Sequence, residues 1–187
     1  MSTLTSLPNL LTLARIVLIP VFIGVFYLPF HWAHAAAAII FALASLTDWL
    51  DGYLARRLEQ MSPFGAFLDP VADKLLVATS LLLLVGVKDL NYITLPAIII
   101  VGREIVISAL REWMAELGSR ASVAVSYISK VKTAMQMLAL ILLLAFDPAI
   151  SWWGVLGFIL LYLAAILTIW SMVIYISIAW PQLIEKR

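Results

Sequence analysis

The chain has 187 residues, of which 64% are hydrophobic and only 12% are charged, and its formal net charge is +1. A soluble domain is usually about 45–50% apolar and about 25% charged, so this composition indicates a protein that is solvated by lipid. The net charge gives no basic excess for nucleic acid, and the lack of cysteine excludes disulfides, thiolate metal sites and cysteine nucleophiles.

Six apolar stretches follow one another along the chain, and each could cross a bilayer, which takes about 20 helical residues. They lie near 10–29, 33–56, 66–87, 92–114, 127–146 and 151–179. Pro29, the polar run 88–91 and Asp147-Pro148 interrupt the apolar pattern between them. We therefore expect an all-α integral membrane protein with six transmembrane helices, forming a single domain over residues 1–187.

Lysine and arginine are distributed unequally between the two sides of this layout. One side has a single such residue in its connections, Lys88. The other side contains both termini and the cations Arg57, Arg120, Lys186 and Arg187. Because cytoplasmic connections carry the excess of positive charge, we expect both termini in the cytoplasm. Aromatic residues would then mark the outer interface, namely Trp32, Tyr92, Trp152 and Trp153.

Four aspartates stand near the predicted cytoplasmic ends of the second and third stretches. Asp48 and Asp51 are three residues apart and Asp69 and Asp73 are four apart, so each pair shares a helix face. Four carboxylates in one pocket would repel each other unless protons or cations neutralised them. An all-oxygen set favours hard cations such as Mg²⁺, Mn²⁺ or Ca²⁺, and two such ions can clamp the oxygens of a phosphoryl displacement. We therefore expect a polar active-site pocket near the cytoplasmic membrane edge.

Simpler roles are open to the individual charged residues. A single aspartate of the first pair could cap a helix or pair with Arg56. Asp69 precedes Pro70 and could be the N-terminal cap of the third helix. Lys74 could extend to the membrane interface without any further role.

The spacing of these residues resembles the signature of the CDP-alcohol phosphatidyltransferases. The matching pattern is Asp48-x2-Asp51-Gly52-x2-Ala55-Arg56-x8-Gly65-x3-Asp69-x3-Asp73. Enzymes of this family join a CDP-linked lipid to an alcohol and release CMP. Their six-helix layout also fits, so the resemblance covers nearly the whole chain. It implies an enzyme of the bacterial cytoplasmic (inner) membrane that forms a homodimer and has its active site facing the cytoplasm.

The resemblance also implies a role for each matching position. Two divalent ions, Mg²⁺ or Mn²⁺, would be held by Asp48, Asp51, Asp69 and Asp73. Asp73 would in addition be the catalytic base that deprotonates the incoming hydroxyl. The cytidine nucleotide would be contacted by Gly52, Ala55, Arg56 and Gly65, with Arg56 on the diphosphate.

The segment "LPNLLTLARI" (7–16) is similar to the N-terminal segment of the same family. Asn9, Thr12 and Arg15 recur every three residues and share one helix face, so we expect them near the nucleotide. The alternative is a helix-capping Asn9 and an Arg15 at the membrane interface.

The second half of the chain bears on the identity of the alcohol. "GREIVISALREWMAELG" and "SKVKTAMQM" place Arg103, Arg111, Lys130 and Lys132 near two predicted cytoplasmic helix ends. These four residues could bind an acceptor phosphate, with Gln136 one turn beyond Lys132. The two motifs resemble the members of the family that take CDP-diacylglycerol and glycerol 3-phosphate as substrates. Inositol phosphate, serine or phosphatidylglycerol are alternative acceptors. The cations could instead form ion pairs with neighbouring glutamates, although adjacent residues do not face each other on a helix.

Two other classes of protein would also place acids in a membrane. An ion-coupled carrier would show charges near the middle of its spans and broken helices or paired repeats, whereas here the charges gather toward one face and no repeat is found. A divalent-ion sensor would need the aspartates but not the glycines, Ala55 and Arg56 in register. The pattern therefore favours a transferase.

Overall fold

The computed structural model describes residues 7–57, 63–87, 92–116 and 127–184. These residues form six α-helices and contain no β-strand. The helices are α1 (Leu7–Phe26), α2 (Ala33–Arg57), α3 (Pro63–Gly86), α4 (Thr94–Glu116), α5 (Tyr127–Ala145) and α6 (Trp152–Ile184). Within α2, the side chains of residues 48–57 lie outside the described part.

The helix bounds lie within about three residues of the predicted stretches, except at the end of α6. α3 begins at Pro63 rather than near 66, which is compatible with proline because the first turn of a helix needs no N–H donor. Since Asp69 and Pro70 consequently lie inside α3, the interpretation of Asp69 as its N-terminal cap is wrong. α6 continues to Ile184, beyond the expected end at 179.

All six helices contribute to one apolar core. Its fully buried members include Phe22, Phe41, Leu81, Ile100, Leu140 and Leu161. The rings of Phe22 and Phe41 join α1 to α2, with their centroids 6.3 Å apart. α5 and α6 approach closely at Gly157, where an added Cβ would lie 2.9 Å from Leu142 Cβ. A glycine is therefore required at this crossing.

Two helices have the length and apolar composition to cross a membrane, over Asn9–Phe26 in α1 and Trp152–Ser177 in α6. Only 33% and 28% of these stretches is buried inside the protein, whereas a core helix of a soluble protein is mostly buried. Large apolar side chains such as Leu43, Leu82 and Ile98 are exposed on other helices as well. The structure thus supports a membrane protein. Spanning by all six helices, and their orientation, stay predictions.

Candidate active site

A pocket lies where α3, α4 and α5 meet. Its empty volume is about 310 Å³, which includes space open to solvent. The lining residues are Asp73, Lys74, Val77, Glu104, Lys132, Thr133, Gln136 and Met137. The pocket therefore combines a carboxylate of α3 with charged and amide groups of α4 and α5.

The acidic side of this region is formed by two successive turns of α3. Asp69 and Asp73 are both half-buried, and residues four apart lie on the same face of a helix. Asp73 lines the pocket. One turn away, Asp69 Oδ1 accepts a hydrogen bond of 2.5 Å from the hydroxyl of Thr12 in α1. Because Thr12 is buried, this bond fixes the orientation of the Asp69 carboxylate.

The polar face of α1 is turned into the protein. Asn9, Thr12 and Arg15 are all buried, although each is polar or charged. Arg15 is fully buried, so the interpretation that it lies at the membrane interface is wrong. α1 begins at Leu7, which places Asn9 inside the first turn rather than at the cap. All three residues have interactions within the protein, as buried polar groups require.

Glu104 is the centre of the charged cluster between α4 and α5. Its Oε1 lies 3.1 Å from a terminal nitrogen of Arg103 and 3.3 Å from Lys132 Nζ. The side chain of Lys132 is only 4% exposed, and a buried ammonium group needs an anionic partner of this kind. Arg103 and Glu104 pair although they are adjacent, contrary to the expectation from helix geometry. The buried Arg103 Nε donates to no group in the described part of the chain.

A second set of contacts joins α3 to α4. Lys74 Nζ donates to Ser108 Oγ, and the Ser108 hydroxyl donates to the carbonyl oxygen of Glu104 at 2.6 Å. Lys74 therefore has a partner between the helices and lines the pocket, so the interpretation that it only extends to the membrane interface is wrong.

The four cations predicted for the acceptor phosphate occupy different surroundings. Lys132 lines the pocket, and Arg103 forms an ion pair with Glu104, the same carboxylate that pairs with Lys132. The guanidinium carbon of Arg111 lies 5.6 Å from the centroid of the Tyr175 ring in α6, within cation–π distance. Lys130 is exposed in the first turn of α5. Neither Arg111 nor Lys130 is among the residues that line the pocket.

Several pocket residues were not among the predicted site residues. Lys74, Thr133 and Gln136 belong to this group. For Gln136 a signal was present, because a residue four positions after Lys132 shares its helix face. For Lys74 no local signal existed, since its partner Ser108 comes from another helix.

The predicted nucleotide-binding positions are only partly visible. The structure describes no side chain in residues 48–57 of α2, the segment that carries Gly52, Ala55 and Arg56 as well as the metal candidates Asp48 and Asp51. Gly65 is buried near the start of α3 and has an interaction within the protein. α2 contacts α3.

A model of the CDP-alcohol phosphatidyltransferase family matches residues 5–170. The chain belongs to this family. A relative from Pseudomonas fluorescens, named CDP-diacylglycerol–glycerol-3-phosphate 3-phosphatidyltransferase, is 58% identical over 179 residues, covering 95% of this chain and 92% of the relative. Relatives of the same name from Escherichia coli (strain K12) and Salmonella typhi are 55% identical over 181 residues, covering 97% of this chain and 98% of theirs. The family resemblance seen in the aspartate signature is confirmed.

The described carboxylates fit the divalent ions on which this family generally depends. Asp69 and Asp73 offer oxygen donors on one face of α3, and oxygen donors suit Mg²⁺ and Mn²⁺. The bond from Thr12 uses one oxygen of Asp69 and leaves the other. No group of three or more candidate metal ligands occurs among the described side chains, which do not include those of Asp48 and Asp51.

Proposed function

We propose that this protein transfers the phosphatidyl group of CDP-diacylglycerol to glycerol 3-phosphate, giving phosphatidylglycerophosphate and CMP. Relatives with that activity in their names are similar along nearly the whole chain. The observation that carries the proposal is the pocket shared by Asp73 and Lys132. A carboxylate that can take a proton lies in the same pocket as a cation that can bind a phosphate.

Asp73 is the proposed base. It accepts the proton of the primary hydroxyl of glycerol 3-phosphate, and that oxygen attacks the phosphorus that bears diacylglycerol. The bond between this phosphorus and the oxygen of CMP breaks, CMP leaves, and the proton passes from Asp73 to solvent. Because a carboxylate is a weak base, Asp73 takes the proton while the new bond forms rather than beforehand.

The phosphate of the acceptor is bound by the cations of α4 and α5. Lys132 lines the pocket, and Arg103 has a buried Nε donor that no described group uses. Glu104 holds both cations in place before the acceptor arrives. We retain Arg111 and Lys130 as further contributors, since their positive charge on α4 and α5 would attract an anionic acceptor over a longer distance.

The aspartate cluster is the proposed metal site, with two Mg²⁺ or Mn²⁺ ions held by Asp48, Asp51, Asp69 and Asp73. Bound divalent ions would stabilise the negative charge that develops on the phosphoryl oxygens. Thr12 orients Asp69 for this role through its hydrogen bond. The nucleotide is proposed to contact Gly52, Ala55, Arg56 and Gly65, together with the polar face of α1 that carries Asn9 and Thr12.

The protein is proposed to be a single domain whose six helices cross the bacterial inner membrane. The exposed apolar faces of the helices support contact with lipid. With both termini in the cytoplasm, the acyl chains stay in the inner leaflet while the soluble acceptor enters from the cytoplasm. We further propose a homodimer, as the family resemblance implies.

Release of CMP tests the proposed function directly. Purified protein receives CDP-diacylglycerol and Mg²⁺, and separate samples contain glycerol 3-phosphate, inositol phosphate, serine or phosphatidylglycerol. We expect CMP only with glycerol 3-phosphate. Release with another alcohol would refute the acceptor assignment, and no release from folded protein with any of them would refute the transferase activity.

A further inference from the structure

One buried polar atom in the pocket has no hydrogen-bond partner among the described residues. Gln136 lines the pocket and is 4% exposed, and its Oε1 accepts no hydrogen bond from the residues that the structure describes. Most buried side-chain oxygens accept at least one hydrogen bond, because an unpaired one loses its interaction with water without a replacement. The position of Gln136 therefore points to a donor that arrives with a ligand.

The surroundings of Gln136 restrict what that donor can be. Lys132 lies one turn earlier on the same helix face, and Asp73 lines the pocket from α3. A phosphate group at Lys132 has no hydrogen to donate unless it is protonated, whereas an alcohol hydroxyl donates readily. One helical turn is about 5.4 Å, which suits a ligand that carries a phosphate and a hydroxyl on neighbouring carbons.

We propose that Gln136 determines specificity for the acceptor by accepting a hydrogen bond from its secondary hydroxyl. The inference rests on the proposed function, in which Asp73 takes the proton of the primary hydroxyl and Lys132 binds the phosphate. Of the groups on glycerol 3-phosphate, only the secondary hydroxyl is bound by neither Asp73 nor Lys132 in this scheme, and it can donate a hydrogen bond to Gln136. Gln136 thus selects a phosphorylated diol over a phosphorylated simple alcohol.

A pair of acceptors that differ in one hydroxyl tests this role. 3-Hydroxypropyl phosphate keeps the phosphate and the primary hydroxyl of glycerol 3-phosphate but lacks the secondary hydroxyl. For the unmodified protein we expect kcat/KM to be roughly tenfold to a hundredfold higher with glycerol 3-phosphate than with 3-hydroxypropyl phosphate. The latter has no secondary hydroxyl, so the buried Gln136 oxygen would receive no hydrogen bond from it. Equal use of the two acceptors would overturn the inference without any variant.

Substitutions at Gln136 distinguish a role in acceptor preference from a general loss of structure or activity. Gln136→Met keeps the length of the side chain and removes the amide. The ratio of kcat/KM for glycerol 3-phosphate to that for 3-hydroxypropyl phosphate should therefore fall to between about one and three. Gln136→Glu retains an acceptor oxygen and should keep the preference, since its added charge affects two phosphorylated acceptors alike. Met135→Leu, a neighbour on α5 that does not line the pocket, is the matched control and should leave the preference unchanged.

The outcomes distinguish this inference from the proposed function. No CMP release by the unmodified protein with glycerol 3-phosphate would refute the proposed function. Normal release, combined with a Gln136→Met variant that keeps the full preference, would refute the role of Gln136 alone. If Gln136→Met does not fold, the Gln136→Glu variant and the two-acceptor comparison on the unmodified protein decide the question.

Discussion

Replacing Lys132 by methionine should weaken the binding of glycerol 3-phosphate selectively. The Lys132 side chain is 4% exposed. Methionine fills the space of the lysine stem but removes the ammonium group. A hydrogen bond to a charged group contributes about 1.5–3 kcal/mol, which corresponds to roughly a tenfold to hundredfold change in affinity. Glu104 would still have Arg103 at 3.1 Å, so the substitution does not leave a buried carboxylate without a partner.

Lys130→Met is the matched control, because Lys130 lies two positions earlier on α5 but is exposed. An exposed cation interacts with an anion by about 1 kcal/mol or less, so its loss should raise the KM for glycerol 3-phosphate by less than about fivefold. The two variants therefore separate a specific phosphate contact from the general effect of positive charge.

Initial rates of CMP release, measured while each substrate is varied in turn, check the prediction. For Lys132→Met we expect the KM for glycerol 3-phosphate to rise roughly tenfold to a hundredfold and the KM for CDP-diacylglycerol to change less than about twofold. Thermal unfolding of both variants shows that they are folded. Equal increases in both KM values, or the same effect from Lys130→Met, would refute the placement of the acceptor phosphate at Lys132.

Three further perturbations address the metal site and the base. Thr12→Val removes the hydroxyl that donates to Asp69 and should lower the affinity for Mn²⁺, measured by calorimetry, by about 10-fold to 100-fold. Thr12→Ser keeps a hydroxyl and should not lower it. An unchanged affinity in Thr12→Val would show that Thr12 does not orient Asp69 for metal binding. Asp73→Asn should reduce CMP release by at least about 100-fold while binding of CDP-diacylglycerol persists, and near-normal turnover would exclude Asp73 as the base. Chelation of divalent ions should stop the reaction, and Mg²⁺ or Mn²⁺ should restore it; activity that survives chelation would contradict the two-metal proposal.

The helices were predictable because their boundaries have strong local causes. Pro29, the polar run 88–91 and Asp147-Pro148 separate the apolar stretches, and α1, α2, α5 and α6 begin within a few residues of the expected positions. Asp147 stabilises the turn before α6, with its Oδ1 accepting a hydrogen bond of 2.7 Å from the backbone N–H of Ala149. Spacing alone also placed Asn9, Thr12 and Arg15 on one helix face, and the structure shows that this face is buried.

Contacts between helices were not predictable in the same way. The spacing of Lys74 within α3 does not reveal that Ser108 of α4 accepts its hydrogen bond. Likewise, the pattern around Arg111 indicated an anion-binding cation, whereas its contact with Tyr175 depends on how α4 packs against α6. Helical periodicity gives the face of one helix, but the partner of that face is determined by tertiary packing.

In the proposed reaction, the primary hydroxyl of glycerol 3-phosphate attacks the phosphatidyl phosphorus in the pocket of Asp73 and Lys132. Glycerol 3-phosphate labelled with heavy oxygen at its primary hydroxyl tests this step by mass spectrometry of both products. We predict that phosphatidylglycerophosphate carries the label, that CMP carries none, and that Asp73→Asn forms neither product at an appreciable rate. Label in CMP, or a labelled lipid formed equally well by Asp73→Asn, would contradict the account.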